Sequence, residues 1–291
     1  MEELRGHHGT WRLDEERIGV LFGTGRKVPS LYRALGHCSV PLAAVAAVDF
    51  DRGDRKRGWR LKLRLHEGMD PYGRLGAPGR ETLTPLLLTG PHDQELLAEY
   101  FADQIAASAR LTRETEGRPD PVEVAQGLVA SLPLQARTGE GSVAFDGSRV
   151  RLQWDGWFAS TVKSQEKTRE YQLSEIEEAK WYPQVDVTEG YLRIVLRGVT
   201  IPEATELSND FFTLVTHGTK GSEETLLLAA TVNAHLQRTG RPQEPAAPPE
   251  PGGDSGEAIF TKIRELGRLH DEGLITEEEF SAKKAELLAR L

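Results

Sequence analysis

The chain repeats itself, and this limits its folds more than any other feature. "GTWRLDEERIGVLF" (9–22) aligns with "GSVAFDGSRVRLQW" (141–154) at an offset of 132, which pairs Gly9 with Gly141, Asp14 with Asp146, Arg17 with Arg149 and Ile18 with Val150. "PLAAVAAVDF" (41–50) then aligns with "QLSEIEEAKW" (172–181) at 131, putting Leu42 on Leu173, Val45 on Ile176 and Phe50 on Trp181. The same offset sets "WRLKLRL" (59–65) on "GYLRIVL" (190–196), with Leu61, Leu63 and Leu65 on Leu192, Ile194 and Leu196. An offset of 132 here would match Trp59 to Tyr191 but would turn an apolar strand face to water, so 131 is kept. Whatever one copy of about 100 residues folds into, the chain must contain twice.

Each copy reads as antiparallel sheet followed by one helix. In "RVRLQW", Val150, Leu152 and Trp154 share one face and Arg149, Arg151 and Gln153 the other; "WRLKLRL" alternates in the same way. That is sheet with one wet face. "FDGS" (145–148) is a hairpin signal, because Asp-Gly accepts the positive φ angles of a tight turn. Asp14 and Asp146 are accordingly read as turn formers rather than catalytic acids. Both copies close with an apolar helical stripe: Leu97, Phe101 and Ile105, flanked by Leu96 and Tyr100, in the first, and Leu228, Val232 and Leu236 in the second. A small bent sheet closed by a C-terminal helix describes the pleckstrin-homology-like barrel. Periodicity alone gives sheet plus helix, and the barrel is inferred from strand number and the final helix. The fold class expected is mainly β with α, as two tandem pleckstrin-homology-like barrels followed by a tethered α-hairpin.

The organisation expected is a first domain over 1–110, a connector over 111–140, a second domain over 141–238, a linker over 239–256 and a hairpin over 257–291. In the connector, "PVEVAQGLVASLPL" suits a short helix with Pro121 in its first turn, and Val122, Val124, Leu128 and Val129 are available to dock between the domains. "TGRPQEPAAPPEPGGDSG" (239–256) holds five prolines, four glycines and no large apolar side chain, so it reads as a tether rather than a packed segment. The net charge of −9 argues against general nucleic-acid binding. The single cysteine, Cys38, allows no intrachain disulfide and fits a reducing compartment. "MEELRGHHGTWRL" lacks the start of a signal peptide, and the longest apolar run, "VPLAAVAAV" (40–48), is far short of a membrane span. The chain is therefore read as soluble and cytoplasmic, with any membrane contact peripheral.

The last segment carries Phe260, Ile263, Leu266 and Leu269 on one helical side, a stop at Gly273, and a capping box opened by Thr276 and closed by Glu279. Phe280, Leu287, Leu288 and Leu291 form a second stripe. Two such stripes cover each other only in part, so the remainder is expected to seek another copy or another protein. "IRELGRLHDEGLITEEEFSAKKAELL" resembles the short C-terminal domain called SHOCT. "LYRALGHCSVPLAAVAAVDFD" with "GWRLKLRL", "GMDPYGRLG" and "ELLAEYFADQI" resembles a bacterial domain-of-unknown-function family whose members often end in SHOCT. The resemblance implies pleckstrin-homology-like architecture and a role for SHOCT in oligomerisation or complex assembly; it supplies no catalytic residues.

Features present in only one copy are the candidates for function. "DRGDRKRGWR" (51–60) gathers Arg52, Arg55, Lys56, Arg57 and Arg60 near a strand-to-strand turn, whereas the matching "YPQVDVTEG" is acidic. The first copy (9–110) carries 15 Lys+Arg against 13 Asp+Glu, the second (141–238) 10 against 14. With Arg26 and Lys27 from "FGTGRKVPS", this cluster could face an anionic lipid surface, a phosphate or an acidic partner. The competing reading is a solvated turn in which Asp51 and Asp54 offset the charge. "GTGRKVPS" resembles a phosphate-cradling loop but lacks the Gly-Lys-Ser/Thr ending and no suitable helix clearly follows, so it is read as a turn leaving a strand. The eight histidines show no ligand spacing, and no metal or cofactor is expected. Trp154, Trp157, Trp181 and Tyr182 are read as core or inter-domain packing. The function expected is a non-enzymatic adaptor whose β domains bind a partner and whose hairpin drives assembly. The alternatives are a peripheral protein that binds anionic lipid through the basic loop, and an undetected enzyme.

Overall fold

Alternating apolar residues and tight turns build the same series of elements twice. The structure, a computed structural model, describes residues 2–76, 83–186, 188–200, 206–218 and 221–239. In the first copy, β1 (Glu2–Arg5), β2 (Gly9–Leu13), β3 (Arg17–Phe22) and β4 (His37–Pro41) form a four-stranded antiparallel meander, with the short helix α1 (Ser30–Leu35) in the β3–β4 connection. A second meander follows: β5 (Val45–Asp51), β6 (Trp59–Leu65) and β7 (Leu87–Gly90). Helix α2 (Glu95–Glu116) closes the copy, and α3 (Pro121–Gly127) leads onward. The second copy repeats the plan with β8 (Leu134–Arg137), β9 (Ser142–Phe145), β10 (Arg149–Gln153), α4 (Thr161–Glu166) and β11 (Thr168–Gln172), then β12 (Ile176–Tyr182), β13 (Gly190–Leu196), β14 (Thr213–Thr216) and α5 (Ser222–Thr239).

The register chosen from sequence holds. Val48 lies opposite Leu63 where Ala179 lies opposite Ile194, and both first strands carry the same irregularity one turn earlier, between Val45 and Ala47 and between Ile176 and Glu178. Leu61, Leu63, Leu192 and Ile194 are buried, and Leu65 and Leu196 are half-buried. Asp14 and Asp146 are turn formers: Asp14 Oδ1 accepts the Glu16 and Arg17 N–H groups, and Asp146 Oδ1 those of Ser148 and Arg149.

Three expectations are corrected. The connector 111–140 contains the last turns of α2 and all of β8, and β8 pairs with β9, so the second copy begins at Leu134. The alternation of Leu134 and Ala136 is too weak a signal to reveal that strand. Leu97 does not lie on the buried face of α2; like Leu96 and Tyr100 it is exposed, and Ala98, Phe101, Ala102, Ile105 and Ala109 are buried. Small residues let α2 sit close to the turn Leu42–Ala44 and to β5, so the helix turns its alanines inward. Trp154 and Trp181 are core residues as expected, but Trp157 is 94% exposed.

The two copies share one continuous core, and residues 1–241 form one compact unit. Helix α5 lies at the centre of the junction. It packs on its own sheet and against α1 and α3, and Leu226, Leu227, Leu228 and Val232 are all buried. These four side chains contribute about 6–12 kcal/mol of burial before chain entropy is subtracted. Val124, Leu128 and Val129 dock at the same junction, with Pro121 opening α3 and Asp120 capping it. Tyr72 Oη donates to the Leu128 carbonyl at 2.9 Å, and Gly76 N–H to the Trp181 carbonyl at 3.2 Å. The hairpin residues Phe260, Ile263, Leu266, Leu269, Phe280, Leu287, Leu288 and Leu291 lie outside the described residues.

Candidate interaction surface

Strand direction alternates along each meander, so the turns 6–8, 23–29 and 52–58 all lie at one end of the first copy. His7 N–H reaches the Thr89 carbonyl, Gly23 N–H the His8 carbonyl, and Gly58 stands against Gly90. The structure thus brings Arg26 and Lys27 to the same end as Arg52, Arg55, Lys56 and Arg57. All six are exposed. Arg52 is tied back to α2, with its guanidinium 2.6 Å from Glu99 and 3.7 Å from Glu95. Arg60 stands half-buried on β6 rather than in the turn. The two acids of the turn accept backbone N–H groups, stay ionised and offset part of that charge. Asp54 Oδ1 accepts the N–H groups of Lys56 and Arg57, which holds its carboxyl below the usual range, and Asp51 Oδ1 accepts that of Gly53.

The phosphate-loop reading of "GTGRKVPS" fails on geometry. A helix does follow, α1, but its first N–H groups already have an acceptor. Glu223, at the start of α5, takes hydrogen bonds from Ser30 N–H, Ser30 Oγ and Leu31 N–H. A carboxylate from the second copy therefore caps a helix of the first, where an anion would otherwise sit. In the second copy α4 is capped locally, by Ser160 Oγ.

The matching end of the second copy is different in kind. Where the first copy has Arg26 and Lys27, the offset of 131 places Trp157 and Phe158, 94% and 58% exposed. Phe158 packs at 4.5 Å on the ring of His217, whose Nδ1 lies 3.1 Å from Glu189. Beneath them is a buried ion pair that no spacing rule in the sequence announced. Lys163 Nζ donates to Glu140 Oε1 at 2.9 Å and to Thr213 O and Oγ1 at 3.2 Å. Glu140 Oε2 accepts Val215 N–H at 2.6 Å. Burial pulls the Lys163 amine below its ordinary range, and the Glu140 carboxylate opposes that shift. With Lys163 at 0% and Glu140 at 2% exposure, this pair fastens the end of the sheet rather than meeting a substrate.

Cys38 is buried and its thiol is pushed up to about 12 by that burial, so it is a packing residue rather than a reactive one. Among the described residues no cluster of three or more His, Cys, Asp or Glu could hold a metal, and no helix is long and apolar enough to cross a membrane. A second patch of exposed apolar side chains runs along α2: Leu96, Leu97, Tyr100 and Leu111.

The fold defines a duplicated β protein in which a helix closes each copy. The family model described as domain of unknown function DUF4429 matches the chain twice, over residues 11–106 and 143–233, and that described as short C-terminal domain (SHOCT) matches residues 261–288. The chain belongs to the DUF4429 family, carries two copies of its domain in tandem and ends in a SHOCT domain. No curated protein matches it.

Proposed function

We propose that the protein is a non-catalytic assembly factor of the cytoplasm, in which two pleckstrin-homology-like barrels form a contact platform and the C-terminal hairpin joins copies or partners. One observation carries this reading: of the nine large apolar side chains exposed among the described residues, six fall in two groups, four on α2 and two on the Trp157–Phe158 loop. Grouped apolar exposure marks interaction sites, whereas scattered exposure does not. The SHOCT segment, whose sequence carries two apolar stripes, is the second adhesive element of this reading, and tethering raises the effective concentration of a weak contact. Light scattering on the full chain, on a chain lacking 257–291 and on Trp157→Ser with Phe158→Ser tests it. The expected result is a lower assembly state in the truncated chain and weakened association in the double variant. A full chain that stays monomeric at all concentrations and captures no partner overturns it.

A second reading has its own observation. The side chains of Arg55, Lys56 and Arg57 project from a turn whose acids are engaged with backbone, and Arg26 and Lys27 share that end. Cations near an anionic bilayer are worth about 1 kcal/mol each. Flotation with anionic vesicles that is abolished by Arg55→Glu with Arg57→Glu supports peripheral membrane binding. Equal flotation with neutral vesicles, or none, rejects it.

A further inference from the structure

The two copies treat the outer edge of their second sheet differently. In each, the first strand of the three-stranded sheet is an edge strand that runs beside the closing helix. In the second copy that edge is sealed. Asn233 of α5 accepts the Ala179 N–H with Oδ1 and donates to the Ala179 carbonyl with Nδ2, both at 2.8 Å, so a side-chain amide stands in for a neighbouring strand. The equivalent of Ala179 in the first copy is Val48, which holds the same register opposite β6. The equivalent of Asn233 is Ala102, which has no polar atom to offer. In antiparallel pairing, residues two apart turn both backbone groups to the same side. Val48 and Phe50 therefore direct their N–H and C=O groups to the open edge of β5.

A groove of about 320 Å³ opens along this edge, between Val45–Val48 and the side of α2 carrying Ala106, Ala107, Ala109, Arg110 and Arg113. Its walls are mostly methyl groups, which leave the strand backbone approachable. Its far end is basic. Arg110 is exposed, Arg113 is half-buried and donates to the Ala109 carbonyl, and Glu114, in the same turn of the helix, does not line the groove. His66, whose N–H bonds the Ala44 carbonyl just before β5, is held below its usual protonation range by burial and then by Arg118 and Arg113. Of the acids of β5, Asp49 is paired with Arg64 at 2.8 Å, and Asp51 lies at the opposite end of the strand from Val45.

We propose that the open edge of β5 in the first copy takes an extended, acidic peptide as an added strand, backbone to backbone at Val48 and Phe50, with a carboxylate at Arg110 and Arg113. Main-chain pairing supplies affinity in such a mode and the flanking groups supply selectivity. In the antiparallel sense of the rest of the sheet, the acidic end of the peptide is its C-terminal end. The inference rests on the body being a contact platform but makes no use of the hairpin.

The test uses the full chain. Short random peptides are selected on it, and the enriched sequences are measured by fluorescence anisotropy against three proteins: the parent, Ala102→Asn, and Arg110→Glu with Arg113→Glu. Ala102→Asn transplants the seal found in the second copy; because Ala102 is buried, a lower melting temperature is expected, and a single cooperative unfolding transition shows that it folds. The expected result is enrichment of extended sequences with Asp or Glu toward the C-terminus. Their affinity should fall at least about tenfold in each variant, and amide exchange at Val48 and Phe50 should slow when they bind. No enrichment, or peptides that bind all three proteins equally, overturns the proposal. So does self-association of the parent that Ala102→Asn abolishes, because a second copy would then be the occupant. If the edge fails while hairpin-dependent assembly persists, only this inference falls.

Discussion

Consider Lys163→Met. Methionine keeps the length of the side chain and its packing over Trp154, whose ring centroid lies 5.7 Å from Lys163 Nζ, but it removes the charge and three hydrogen bonds. Thr213 O keeps a donor, the Trp154 indole N–H at 3.1 Å. Glu140 fares worse: its carboxylate stays 2% exposed with its counter-charge gone and only Val215 N–H to solvate Oε2. Breaking a buried pair in this way costs about 3–5 kcal/mol. For a body of this size each kcal/mol lowers the melting temperature by about 2–4 °C, so a fall of about 6–20 °C is expected. Glu140→Gln alone leaves the amine buried and unpaired, and costs a similar amount. The double variant leaves no buried charge and keeps a carbonyl oxygen for Val215 N–H, so it should cost about 1–2 kcal/mol, less than either single change. Urea titrations of the four proteins, followed by tryptophan fluorescence, close the cycle. A single variant that costs under about 1 kcal/mol, or a double variant near the sum of the singles, refutes the claim that the unpaired charge sets the penalty.

Two further outcomes follow from contacts between or within the copies. Glu223→Ala strips the acceptor from three donors at the start of α1 and should cost about 1–2 kcal/mol in thermal or urea unfolding, while Glu223→Gln should recover part of it. His8 has its imidazole pKa lowered by burial and then by His7, against an opposing pull from Glu223. The unfolded chain therefore binds that proton more tightly, and stability should decline as pH falls through about 6.5. His8→Gln should flatten that part of the pH–stability curve, and an unchanged slope would remove His8 as its source.

Much of the framework was readable because strands announce themselves with a period of two and duplication checks each reading against a second copy. The register of β6 and β13 and the turn roles of Asp14 and Asp146 came from that pattern. The face of α2 did not, because hydrophobicity ranks leucine above alanine, while a helix drawn close to a sheet selects for small side chains. Trp157 misled for a related reason: size and apolarity predict burial on average, and an exposed tryptophan is the exception that matters. The Lys163–Glu140 pair joins residues 23 apart, with no spacing rule to link them. A signal did exist in the alignment, since the same two places hold Tyr32 and His8 in the first copy and all four are polar. Asn233 facing Ala102 is of the same kind: neither residue is unusual alone, and only the mismatch between copies points to the open edge of β5.

The two copies also offer an internal control on the first prediction. Tyr32 occupies in the first copy the place of Lys163 in the second. It stacks on Phe22 at 4.5 Å where Lys163 overlies Trp154, and it is 2% exposed. Its hydroxyl donates to the Thr84 carbonyl at 2.9 Å, a neutral hydrogen bond, and burial with the nearby Glu223 raises its ionisation well above the ordinary tyrosine range. The site is thus as enclosed as that of Lys163 but holds no charge at neutral pH. Tyr32→Phe removes one hydroxyl, keeps the ring stack and leaves one carbonyl short of a donor, which costs about 1–2 kcal/mol. Lys163→Met, at the equivalent place, is expected to cost at least about twice that, because it strands a carboxylate rather than a carbonyl. Equal losses in the two variants would mean that the position in the fold, not the charge it encloses, sets the penalty.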